Sequence, residues 1–106
     1  MVKSIETISA FKEAVGSEGV AAVKFSADWC GPCRQMGPVF QSLVDGTSGI
    51  EGYSVNVDNE DLEKLCEEQR IESLPTFKFF KNGIVVGVVL GANVDKLSSA
   101  FKQHAA

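Results

Sequence analysis

No hydrophobic run in this chain approaches the roughly 20 residues that a membrane-crossing helix needs. A membrane-spanning role is therefore not expected. Basic clusters are missing too: ten Lys and Arg are scattered among fourteen Asp and Glu, for a net charge of −4 at pH 7. Proteins that hold a phosphate backbone gather their cations, so a nucleic-acid partner is not expected either. The opening residues Met1 to Thr7 lack the apolar stretch of a signal peptide and the Arg-rich, acid-free character of a transit sequence. Cysteine is scarce, with three in 106 residues. In a reducing compartment so few thiols are more often catalytic or free than a disulfide framework, and the expected location is cytoplasmic. Repeats, low-complexity segments and linkers are absent, so residues 1–106 are expected to form a single domain with its own core.

What the chain does have is Trp29-Cys30-Gly31-Pro32-Cys33. The pair of cysteines follows an apolar β run, Val20 to Ser26, and opens a helical segment. Thiols at i and i+3 on a first helical turn can close a small disulfide. The first sulfur also meets unpaired backbone N–H groups and the positive end of the helix dipole, which favour an anion. The thiolate is the attacking species in disulfide exchange. Pro32 suits the first turn because its φ is preset and its missing N–H would be unpaired there. Zinc sites share the Cys-x-x-Cys spacing, but a structural site needs four ligands. Only Cys66, on a helical pattern, and His104, near the chain end, remain, and they form no second knuckle. The motif points to a dithiol–disulfide oxidoreductase with no metal or other cofactor.

The remaining pattern reads as βαβαβα followed by ββα. A strand at Val2–Ile5 precedes a helix capped by Thr7 or Ser9, with Ile8, Phe11, Ala14 and Val15 inward and Gly16 as its stop. Val20–Ser26 is nearly continuous apolar sequence broken by Lys24, as in a central strand covered on both faces. A long helix from Gly31 turns Met36, Val39, Phe40, Leu43 and Val44 inward. Pro38 should kink it, and the Gly46–Gly49 cluster ends it. Tyr53, Val55 and Val57 alternate as a strand, and Asp58 or Asn59 caps the helix carrying Leu62, Leu65 and Cys66. Asn82-Gly83 between two β runs is a strong hairpin signal, and Gly87 marks a bulge in the second of them. A last helix presents Val94, Leu97, Ala100 and Phe101. This order is an α/β fold: a single mixed β-sheet flanked by helices on both faces.

The segments Phe25–Cys33, Pro38, Asp58, Leu74-Pro75-Thr76-Phe77, Phe79–Gly83 and Gly91-Ala92 closely resemble the thioredoxin family, in its cytosolic eukaryotic form, over nearly the whole chain. The resemblance implies the thioredoxin fold and a protein-disulfide reductase. Cys30 would be the exposed nucleophile and Cys33 the more buried resolving thiol. Trp29, Gly31, Pro32, Leu74, Pro75, Gly91 and Ala92 would form the substrate-binding surface. Pro75 would be cis, although the residues alone fit a turn proline at a strand start equally well. The implied partners are a thioredoxin reductase that recharges a monomer, and disulfide-containing proteins of the peroxiredoxin, ribonucleotide reductase or methionine sulfoxide reductase type.

Lys24 departs from the family pattern, which places a buried aspartate six residues before the first cysteine. Ser54 likewise replaces the family's usual basic residue. The Lys24 ammonium either runs out to solvent on its apolar stem or lies near the thiols and modulates their pKa. Cys66 is expected to be a small helix-face hydrophobe rather than a regulatory thiol, Asp58 a cap, and His104 a solvated residue. Asp28 bonds either the Trp29 indole or nearby backbone, or is simply a loop residue. Two competing functions carry less support. A disulfide-forming or isomerising domain would favour a more oxidising dipeptide between the cysteines. A regulatory docking module would tolerate loss of a cysteine.

Overall fold

The computed structural model describes residues 1–106. Its elements are β1 (Val2–Ser4), α1 (Ile8–Val15), β2 (Val20–Ser26), α2 (Gly31–Asp45), β3 (Ile50–Asn56), α3 (Glu63–Glu68), β4 (Thr76–Lys81), β5 (Ile84–Leu90) and α4 (Val94–His104). One five-stranded sheet has the order β1-β3-β2-β4-β5. β1, β3 and β2 are parallel, and β4 and β5 close the sheet antiparallel. The expected α/β architecture is the one observed, and β2 is its central strand.

Alternation along β2 sends Ala22 to one face and Ala21, Val23 and Phe25 to the other, so one strand feeds two cores. On one face α2 and α4 pack Met36, Phe40, Val44, Leu97 and Phe101 against Phe77 and Phe79. On the other, α1 and the α3 region bring Phe11, Val15, Leu62 and Leu65 against Val23, Phe25 and Phe80. α2 approaches β3 so closely at Gly52 that a Cβ there would lie 2.5 Å from Val44 Cγ2. Only glycine fits that position without repacking.

Local signals account for most boundaries. Thr7 caps α1, its Oγ1 accepting from Ala10 N at 3.0 Å. α2 runs unbroken through Pro38, and Gly46 caps it. Asn82 and Gly83 take positive φ, 53° and 79°, as the two-residue hairpin requires. The β4–β5 register shifts between Phe79, opposite Gly87, and Phe80, opposite Val85, so Val86 is the extra residue of a bulge beside Gly87.

Three expectations need correction. The helix at Leu62–Cys66 divides into a 3-10 turn, Glu60–Leu62, and α3; Asn59, not Asp58, caps the turn through Asp61 N at 2.9 Å. Val94 stays exposed at the start of α4, where it lies outside both cores. His104 is not a freely solvated residue: its ring stacks on Phe79 at 5.3 Å and 24°, because α4 lies along the Phe79 face of the sheet. Lys24 fits the reading of an apolar stem with its head at the surface: its ammonium has no partner and is not a buried atom. The residue is half-buried, with Nζ over the Phe40 ring at 6.0 Å from its centroid.

Candidate active site

β2 ends at Ser26, and the chain turns through Ala27–Trp29 into α2. Cys30 is the N-cap of α2, in extended conformation, and its Sγ accepts from Cys33 N at 3.2 Å. A sulfur takes the place that a serine or aspartate oxygen usually fills, on a backbone donor at the positive end of a 15-residue helix. That position favours charge on Cys30 once the pair is reduced. Cys30 and Cys33 are joined as a disulfide, with Cα atoms 5.2 Å apart. Both are packed with Ala27, against which Val57 and Leu74 lie.

The expected contrast of an exposed Cys30 and a buried Cys33 is not seen in this oxidised form, where they are 6% and 4% exposed. The two sulfurs are bonded to each other and packed with Ala27, Val57 and Leu74. The two residues differ in what they border. Cys30 lines an open, mostly apolar pocket of about 470 Å³ with Trp29, Gly31 and Pro32 on one side and Val57, Ile71 and Leu74 on the other. Cys33 lines a separate crevice of about 220 Å³ with Lys24, Ser26, Asp28 and Arg34. One thiol thus faces apolar surface and the other faces polar and charged groups.

Trp29 is 68% exposed, yet its ring is fixed: Nε1 donates to Asp58 Oδ2 at 2.8 Å. Asp58 is therefore the indole's acceptor and not a helix cap. Asp28 contributes its backbone carbonyl, which accepts from Arg34 Nη1 at 2.8 Å.

The Leu74–Pro75 peptide is cis. Pro75 is buried, and its carbonyl accepts from Gly91 N at 2.8 Å, which draws Gly91 and the exposed Ala92 beside it. The Ser73 carbonyl accepts from Thr76 Oγ1 at 2.6 Å. Leu74, half-exposed between them at the pocket wall, has no backbone hydrogen-bond partner on either its N–H or its C=O. Of the expected surface residues, Trp29, Gly31, Pro32 and Leu74 line the Cys30 pocket, whereas Pro75, Gly91 and Ala92 lie outside its lining.

Sequence reasoning missed four groups on this wall. Val57, Cys66, Ile71 and Glu72 line the same pocket as Cys30. Their position just past β3 and before Leu74-Pro75 is the signal that would have found them. Cys66 packs against the core, as expected of a helix-face residue, and burial pushes its thiol pKa up. Desolvation also lowers the Lys24 pKa from its ordinary 10.5, and the ammonium has no hydrogen bond or ion pair.

A family profile described as Thioredoxin matches residues 2–103. The thioredoxin of Malassezia sympodialis is 38% identical over 105 residues, covering 99% of this chain and 100% of that protein. The horse (Equus caballus) thioredoxin is 43% identical over 104 residues, covering 96% and 97%. Among solved structures, Plasmodium falciparum thioredoxin superposes with a TM-score of 0.91 at 30% identity, covering 97% of this chain and 99% of that one. A thiol pair capping a helix beside an open apolar pocket agrees with these likenesses: the chain belongs to the thioredoxin family and is a thiol–disulfide oxidoreductase that reduces disulfides in proteins.

Proposed function

We propose that one chain, acting as a single domain, a monomer and a cytoplasmic electron carrier, reduces protein disulfides through Cys30 and is recharged by a thioredoxin reductase. The observation that carries this reading is the placement of Cys30 Sγ on the first turn of α2 at the edge of the apolar pocket. The reduced Cys30 thiolate attacks one sulfur of a target disulfide, forming a mixed disulfide and releasing the first target thiolate. Cys33 loses its proton and attacks Cys30 Sγ, and the second target thiolate leaves. Two electrons pass from the dithiol to the target, and Cys30–Cys33 is left oxidised. No cofactor takes part in these steps.

An extended target segment docks over Trp29, Gly31 and Pro32 and pairs with the free N–H and C=O of Leu74, a one-residue form of strand addition. Pro75 sets the direction of that segment, and Gly91 and Ala92 extend the floor. Targets of the peroxiredoxin, ribonucleotide reductase and methionine sulfoxide reductase type suit such a surface because it reads backbone more than side chains.

Lys24 acts through Cys33. Both residues line the 220 Å³ crevice, and the ammonium makes no ion pair. A nearby positive charge favours the thiolate, so Lys24 promotes deprotonation of the resolving thiol. Insulin reduction with NADPH and a thioredoxin reductase tests the whole reading. Turnover by wild type and a trapped mixed disulfide in Cys33→Ser are expected. An inactive wild type would overturn it.

A further inference from the structure

The pocket beside Cys30 is lined by one charged residue, Glu72. Glu72 follows Ile71 and stands two residues before Leu74, and all three border the same pocket. It is exposed, and its carboxylate makes no hydrogen bond and no ion pair. The cations on its other side leave it free. Glu72 also borders a polar crevice with Arg70 and Lys78, but Lys78 Nζ donates to the Gln69 carbonyl at 2.6 Å and to Gln69 Oε1 at 3.2 Å. The one ion pair in the chain joins Met1 and Asp45. Asp58, the acid that holds Trp29, already has one oxygen on the indole. An unpaired negative charge therefore stands on an apolar wall beside the reacting sulfur.

On the docking proposed above, we infer that Glu72 is a specificity-determining residue: it favours target disulfides whose cysteine is flanked by Lys or Arg. A segment that bonds the Leu74 backbone and brings its sulfur to Cys30 lies across this pocket. Residues of an extended chain are about 3.3 Å apart, so the neighbours of the target cysteine fall within a long side chain's reach of Glu72. Lys and Arg suit the wall in both their parts. Their apolar stems cover Ile71 and Leu74, and their charged heads meet the carboxylate. A cysteine flanked by Asp or Glu brings like charge to the same place and is disfavoured.

Exposure sets the size of the effect. An ion pair in solvent is weak, and the preference amounts to about two- to fivefold. So modest a bias ranks targets without excluding any. Salt screens it, since the Debye length falls to a few ångströms at high ionic strength.

Three disulfide-linked peptide dimers, identical except for Lys, Gln or Glu on both sides of the cysteine, test this. The readout is the second-order rate at which pre-reduced protein releases peptide thiol, measured by rapid quench and chromatography. The ratio of Lys-peptide to Glu-peptide rates should fall about two- to fivefold in Glu72→Gln, and further in Glu72→Lys. Differences intrinsic to the peptides cancel when variants are compared. Glu18→Gln removes the same charge before the far end of β2, a seven-residue strand roughly 23 Å long, and should keep the wild-type ratio. High salt should bring the wild-type ratio toward that of Glu72→Gln. A Glu72→Gln ratio equal to wild type overturns the proposal, as does an equal fall in Glu18→Gln, which would assign the bias to net charge. A wild type that reduces all three peptides at one rate overturns the charge selection and leaves the docking standing. A wild type that reduces none overturns the docking, and this inference with it.

Discussion

The indole Nε1 of Trp29 donates a 2.8 Å hydrogen bond to Asp58 Oδ2, tying the loop after β2 to the residues that follow β3. An exposed aromatic ring beside the reacting sulfur is held by one carboxylate. Bonds to charged acceptors contribute about 1.5–3 kcal/mol when shielded, and exposure places this one at the low end. Asp58→Ala should free the ring and raise acrylamide quenching of Trp29 fluorescence, with insulin reduction falling several-fold. Asp58→Asn, which keeps an oxygen acceptor, should lie near wild type. Unchanged quenching in Asp58→Ala would show that packing alone fixes the ring.

The two thiols should divide their work. In reduced protein near neutral pH, iodoacetamide should label Cys30 before Cys33, since Cys30 caps the helix and borders the open pocket. Cys33→Ser should accumulate a mixed disulfide at Cys30 that dithiothreitol releases. Peptide mapping that found Cys33 labelled first would exchange the roles.

Lys24→Met keeps the stem and removes the charge. The pKa of Cys33 should rise, and single-turnover resolution of the mixed disulfide should slow. Stability should move in the opposite sense. Burial lowers the folded-state pKa of Lys24 while the unfolded chain keeps about 10.5. Between those values the unfolded chain binds more protons, so wild-type stability gains with rising pH. Lys24→Met should therefore be the more stable protein at neutral pH, with the margin shrinking as pH rises toward 10.5. Urea melts at neutral and alkaline pH check the sign.

Cys66 lines the pocket but should be slow to react. Burial pushes its thiol pKa up, so it holds little thiolate at neutral pH. Its alkylation should trail that of Cys30 and accelerate only in alkaline buffer. Equal rates at neutral pH would contradict the desolvated setting.

Gly52→Ala tests the α2–β3 approach. The added methyl would lie 2.5 Å from Val44 Cγ2 in a packed core, and overpacking of this kind costs about 1–3 kcal/mol. Denaturant melts should show that loss, and the companion Val44→Ala change should recover part of it.

Features fixed by neighbouring residues were legible in the sequence. Asn82-Gly83 demands positive φ whatever surrounds it, and Trp29–Cys33 places a thiol on a helix turn by spacing alone. The apolar periods of β2 and α2 set which side chains face the sheet. Legibility ended where two distant segments meet. The stack of His104 on Phe79 depends on where α4 crosses the sheet, and the Asp58 acceptor on how β2 and β3 end side by side. For Lys24 the sequence left two readings open, an ammonium in solvent or one near the thiols. Only the packing of α2 against β2 shows its ammonium over Phe40 and its side chain on the crevice that Cys33 also lines. Cys66 read correctly as a helix-face residue, yet its place on the pocket wall follows from the α3 region lying opposite α2.

The segment before β4 offers little to grip. Pro75 has no N–H, its carbonyl is taken by Gly91, and the Ser73 carbonyl is taken by Thr76, so of these three residues only Leu74 has both its N–H and its C=O free. Under the proposed docking, a target chain would find backbone bonds and an apolar floor, a hold too slight for long dwell times and too generic to select strictly by sequence. Clients would then come and go quickly, and their range would be wide. What distinguishes one client from another is whether its disulfide can be brought to Cys30 at all.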